Sequence, residues 1–293
     1  MLLRPDLPPS IRQTYPYSFY VPAGIIFCVI FVAPTLLAFY FSLTRWTLFR
    51  AEFIGLDNFS QFLREPALTN GMRNTLVYAV VTSGLKVVIG LLLATLLTSS
   101  MRLRNLLRSI IFFPVLVSTV AVGITFAVLM HPSKGLINKA LEVFGVDGPS
   151  WLTDPAIALL SVAFVDVWKG VGIALVIFIA GILSIPEEYL DAIKLEGGAW
   201  AKLRHVIIPL SRNATFTVIL LSFISGLRTF DLIWTMTRGG PGFTTDVITS
   251  TIYKQYQAGF YGLATAGNVI LFIAVTLIVY PMMRFFARRE IEL

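Results

Sequence analysis

The chain of 293 residues holds a single cysteine, Cys28, and two histidines, His131 and His205, that are distant in sequence. One cysteine excludes an internal disulfide framework, and two separated histidines leave no zinc-ligand cluster. Neither a metal site nor a catalytic residue is expected. Charge is scarce as well: Asp, Glu, Lys and Arg make up 13% of the chain, about half of the ~25% usual for soluble domains. No Gly-x-x-x-x-Gly-Lys-Ser/Thr, His-Glu-x-x-His or Gly-x-Ser-x-Gly pattern occurs, so phosphate-cradle and common hydrolase chemistry is missing. The glycine-rich run Thr237-Arg238-Gly239-Gly240-Pro241-Gly242 lacks the required lysine. Uphill transport by such a chain would draw its energy from another subunit or from an ion gradient.

What the chain has in abundance is apolar length. Hydrophobic residues make up 56%, phenylalanine alone occurs 23 times, and the mean hydropathy is +0.80. A spanning helix needs about 20 mostly apolar residues, because lipid offers the backbone no hydrogen-bond partner. Six stretches qualify: 19–43, 75–98, 109–130, 156–184, 208–236 and 262–286. The first is too long for a cleaved signal peptide and reads as a retained helix. The expectation is an all-α membrane protein with one domain over 19–286 and tails at 1–18 and 287–293.

Basic residues orient it. With the N-terminus inside, the inner segments and helix ends carry 12 Lys or Arg, from Arg4 and Arg12 to Arg288 and Arg289, against eight outside. The loop from Met101 to Arg108, with three arginines and no acid, decides for both termini inside. The net charge of +7 then reflects inner flanks against anionic lipid, and no nucleic-acid partner is implied. Residues 44–74 should carry short interfacial helices, for example over 58–64, and 131–155 should form an external turn-rich connection.

Ionisable groups inside the spans are Lys86, Asp166, Lys169, Arg228 and Asp231. Asp166 with Lys169, and Arg228 with Asp231, are spaced i,i+3, so each pair is expected to neutralise itself on one helix face. Lining a polar cavity and relaying protons are the other readings of charge at this depth.

Residues 187–206 form an amphipathic inner segment. Pro186-Glu187-Glu188 is a helix-start signal, Gly197-Gly198 breaks the helix, and a second short helix with Lys202, Leu203 and Val206 leads into Pro209. Asp191-Ala192-Ile193, Glu196-Gly197 and Ile207-Ile208-Pro209 resemble the coupling motif of bacterial ABC importer permeases. Asp191 and Ile193 depart from that motif's usual Glu and Ala, and the spacing before Trp200 is one residue short. Thr237-Arg238-Gly239-Gly240-Pro241 is similar to a signature at the outer end of the fifth helix in carbohydrate permeases. Phe53 to Phe59, Asn74-Thr75, Arg108 to Pro114, Gly135 to Asn138 and Tyr253 to Gly262 also look like that family, in order along the chain.

The resemblance, to permeases of the maltose and glycerol-3-phosphate type, implies a bacterial inner-membrane subunit with a cytoplasmic coupling helix between helices four and five. It implies a second related permease, two cytosolic ATPases that use ATP and Mg, and an extracytoplasmic binding protein. This chain would bind no cofactor itself. Asp191, Ala192, Glu196, Gly197 and Pro209 would serve the ATPase contact. Trp168, Lys169 and Gly170 on helix four, with Ser222, Ser225, Gly226, Arg228 and Thr229 on helix five, would lie along the solute path. Small residues there also suit plain helix packing. With both cations paired, a neutral mono- or oligosaccharide is the expected solute, ahead of a polyol, glycerol phosphate or other anion. An autonomous secondary carrier is the reading from a different class.

Overall fold

A computed structural model of the chain describes residues 17–47, 49–99 and 101–288, without the side chains of Tyr17, Ser18 and 194–196. Expectations for Arg4, Arg12, Arg289 and the Glu196 side chain lie outside the described residues. The described chain is mostly helical. Helix α1 (Val21–Ser42) runs through a π-helical turn at Cys28–Val32. A three-residue hairpin, β1 (Thr44–Trp46) and β2 (Ala51–Phe53), follows with Thr44 opposite Phe53. It is the one departure from all-α structure among the described residues, and the expected short helix appears beside it as α2 (Asp57–Arg64).

Next come α3 (Pro66–Leu97), α4 (Arg104–Leu116), α5 (Thr119–Leu129), α6 (Leu136–Val143) and α7 (Ala158–Leu183). The remainder is α8 (Glu187–Glu196), α9 (Ala199–Leu210), α10 (Arg212–Leu227), α11 (Asp231–Met236), α12 (Ile248–Gln257) and α13 (Tyr261–Ala287). Helix α3 starts nine residues before the expected Thr75, because Pro66 sits at its first position, where a missing N–H costs nothing. Its 32 residues reach roughly 48 Å, beyond the ~30 Å hydrocarbon core.

Among the described residues four helices are long and apolar enough to cross a membrane: α1, α3, α7 and α13. The third and fifth expected spans are bent pairs instead, α4 with α5 at 98° and α9 with α10 at 72°. A proline lies shortly before each bend: Pro114 is within α4, three residues before the chain turns extended at Val117 and Ser118, and Pro209 is two residues before the break at Ser211.

Helix α3 is the central post and packs along α7 and α10. Small residues permit this: a Cβ on Gly90 would come within 2.8 Å of the Ala174 Cβ on α7. One on Gly226 would come within 2.7 Å of the Ala79 Cα. Two buried clusters lie at different heights along it, one around Tyr78, Val162, Val165 and Ile233, another around Leu97, Leu175, Phe178 and Ile207. No residue of Val21–Val32 is buried, so this half of α1 offers its apolar sides to lipid or to another chain.

Candidate functional site

A cleft of about 290 Å³ opens between α7, α10 and the start of α11, and its wall reaches Lys86 on α3. Six of the path residues expected from sequence line it: Lys169, Gly170, Ser222, Ser225, Arg228 and Thr229. Trp168 does not. It turns away to pack on Phe126 of α5, ring centroids 5.1 Å apart, and is no stacking platform for a solute in this cleft. Gly226 does not line it either, being pressed against Ala79. For that glycine the helix-packing reading is the correct one.

The expected charge pairing needs correction. Asp166 accepts from Lys86 across two helices, Nζ to Oδ2 at 2.8 Å, not from Lys169. The i,i+3 spacing allowed the local pair, but Lys86 is buried with its ammonium in reach of no other acid, so it takes the carboxylate. Gly170 makes room for this, since a Cβ there would stand 2.8 Å from the Lys86 Cε. Lys169 and Arg228 join no ion pair among the described residues, and Arg228 and Asp231 do not pair with each other.

The stretch expected as the fifth span is interrupted a second time. Helix α10 ends at Leu227, Arg228 to Phe230 are non-helical, and α11 restarts at Asp231. Irregular backbone at such a place is tolerated where it lines a cavity and finds partners. Here the Thr249 hydroxyl donates to the Thr229 carbonyl. Ile233 lies beyond the break and is fully buried. Gly226, Thr229 and Asp231 were the signal for the interruption: two poor helix formers, then an acid that favours a helix start.

Helix α8 follows the α7 wall of the cleft and leads through α9 to the α10 wall. It begins after Pro186, with Glu187 and Glu188 in its first turn, and stops at Gly197. Asp191 and Ala192 are exposed, as are Gly198 and Trp200. Gly197 is held small by its own fold, because a Cβ there would meet the Ala201 side chain as α9 folds back. Pro209 closes α9.

Comparison with known proteins places this architecture. Residues 86–292 match the model of the binding-protein-dependent transport system inner membrane component family. The chain belongs to that family of ABC permeases. It is 28% identical to the trehalose/maltose transport system permease MalF of Thermococcus litoralis, covering 88% of this chain and 89% of that one. It is 28% identical to the sn-glycerol-3-phosphate transport system permease UgpA of Pectobacterium atrosepticum, covering 96% and 97%. The fold matches a crystal structure of a bacterial ABC transporter that imports the acidic polysaccharide alginate. The TM-score is 0.81 at 22% identity, over 93% of this chain and 94% of that one.

In this permease the Gly239-Gly240-Pro241 signature builds a buried knot. Gly239 has φ +87°, and a Cβ on it would collide with the Asp246 carboxylate. Thr245 donates to the Gly240 carbonyl at 2.6 Å and its hydroxyl meets that of Thr237 at 2.8 Å. Asn74 on α3 clamps the loop by donating to the carbonyls of Thr244 and Asp246, at 2.9 and 2.8 Å. Its neighbour Thr75 accepts from the Ile248 N–H at the start of α12. Asp246 itself is fully buried, held by Ser250 at 2.8 Å and Lys254 at 2.7 Å. Sequence reading missed Asp246; its only signal was position, directly after Thr244-Thr245.

Proposed function

We propose that the chain is one of two permeases in an ATP-driven sugar importer and forms half of its translocation path. The observation that carries this reading is that an exposed helix, α8, follows the α7 wall of a polar cleft and leads through α9 to its α10 wall. A partner that grips α8 can tilt α7 and α10 together and so change the cleft's access. In this reading each bent pair is one span, which makes six across residues 19–286, with both tails cytoplasmic. Segment 187–206 is then a cytoplasmic coupling helix seated in a groove of an ATPase subunit.

Asp191 offers a hydrogen-bond acceptor and charge to that groove, and Ala192 permits close approach. Gly197 and Pro209 shape the segment, and Glu196 adds a second acid. The ATPase partners bind ATP and Mg and hydrolyse the nucleotide. A binding protein delivers solute from the opposite side. The sugar class is supported by the trehalose/maltose relative, and the glycerol-3-phosphate relative supports the polyol alternative.

Purification of the complex from its own membranes tests this. Ala192→Arg should strip the ATPase chains from the permease pair, because a bulky charge on the exposed face cannot enter a close-fitting groove. Unchanged ATPase content and unchanged uptake in that variant would contradict the docking role.

A further inference from the structure

From the unpaired basic groups of the cleft we infer that it holds a site for an anionic substituent of the solute, built by Lys169 and Arg228. This deepens the importer reading and rests on the cleft being part of the path. The charged groups facing the cleft are Lys86, Lys169 and Arg228 against Asp166 and Asp231, an excess of one positive charge. Lys86 and Asp166 satisfy each other at 2.8 Å. That leaves two cations and one carboxylate in which neither cation is engaged among the described residues.

Each cation could have been silent. Lys169 stands in the middle of α7, where a charge is costly and needs a counter-charge or water. The acid one turn before it, Asp166, is engaged elsewhere. Arg228 caps the C-terminal end of α10, where a cation is favoured by the helix dipole, and it also lines the cleft. Asp231 is placed in the first turn of α11, where an acid is favoured on its own account, and is not bonded to Arg228. The two cations come from different elements of the lining, α7 and the end of α10. A guanidinium fork and an ammonium in one cleft suit a carboxylate or phosphate, each with several acceptor oxygens. Ser225 and Thr229 add hydroxyl-bearing residues to the same lining, while the Ser222 hydroxyl is taken up by the Val218 carbonyl and the Ser83 hydroxyl. The solute class is therefore a carbohydrate or polyol bearing a carboxylate or phosphate, in place of the neutral sugar expected from local pairing.

The test is uptake by the complete transporter, with its own partner chains and binding protein, in proteoliposomes supplied with ATP. Three labelled probes are compared: a galacturonate disaccharide, glycerol 3-phosphate and maltose. At least one anionic probe should be taken up about tenfold or more faster than maltose, and which one distinguishes carboxylate from phosphate. Lys169→Gln and Arg228→Gln should each lower that uptake by roughly tenfold, the loss expected for one charge-assisted hydrogen bond. Lys169→Arg should retain most of it. The ATPase chains must co-purify with every variant, which separates loss of the site from loss of assembly. Maltose uptake equal to or above that of both anions, or uptake of neither anion, overturns the anion site. ATP-independent uptake, or absence of ATPase chains from the wild-type complex, would instead overturn the importer reading.

Discussion

Gly239 lies against a buried carboxylate in a left-handed backbone conformation, and both facts demand glycine. Gly239→Ala should destabilise the purified permease by about 1–3 kcal/mol, the usual cost of forcing a methyl into a packed site. A thermal unfolding midpoint unchanged from the parent would contradict the knot described here. The Lys86–Asp166 pair gives a second expectation at this scale. Removing one partner of a buried pair costs about 3–5 kcal/mol, whereas replacing both with apolar residues is often mild. Lys86→Met should therefore be markedly less stable than Lys86→Met combined with Asp166→Leu, as read by the same melting experiment. A single variant as stable as the parent would show that the pair carries no weight. The identity of these charged residues was legible in the sequence; their partners were not. Spacing along one helix makes Asp166–Lys169 look natural, and only the packing of α3 on α7 at Gly170 shows that Lys86 arrives first.

Elements were legible to the extent that they are long and apolar. Helices α1, α3, α7 and α13 follow from their composition, and α8 follows from its start at Pro186 and its stop at Gly197. The bends at Val117–Ser118 and Ser211 were not, because apolar length reports how far a segment reaches and not its direction. Pro114 and Pro209 were visible, but membrane helices tolerate proline often enough that neither announces a turn of 98° or 72°. The break after Leu227 was signalled only by Gly226, Thr229 and Asp231, inside a stretch long enough to read as one span. Segment α8–α9 yields a prediction of its own. Gly197→Val would drive a side chain into Ala201 and splay the two helices, so ATP hydrolysis should persist while solute uptake falls by about tenfold or more. The ratio of uptake to hydrolysis checks this. A ratio unchanged from the parent would mean that the angle between α8 and α9 plays no part in transmission.

At the scale of the whole molecule, the family-like residues turn out to be mostly staples of the fold. Asn58 holds the carbonyls of Ser42 and Thr44, Asn138 those of Pro132 and Pro149, and Arg108 that of Leu97. Asn74 and the Gly239–Pro241 loop, far apart in sequence, meet directly. This explains why architecture could be read from the chain while solute class could not: the staples are local signatures, whereas the cleft's charge balance depends on which helices face each other. The bare apolar sides of α1 and the polar cleft suit the proposed half of an assembly. The central claim is that this half works with a second permease and is driven by ATP through α8. The most direct measurement is solute accumulation by the complete complex in sealed vesicles, with ATP supplied only on the α8 side and binding protein only on the other. The account predicts accumulation that requires both and disappears in Ala192→Arg. Accumulation by this chain alone, without ATP or partner chains, would contradict it.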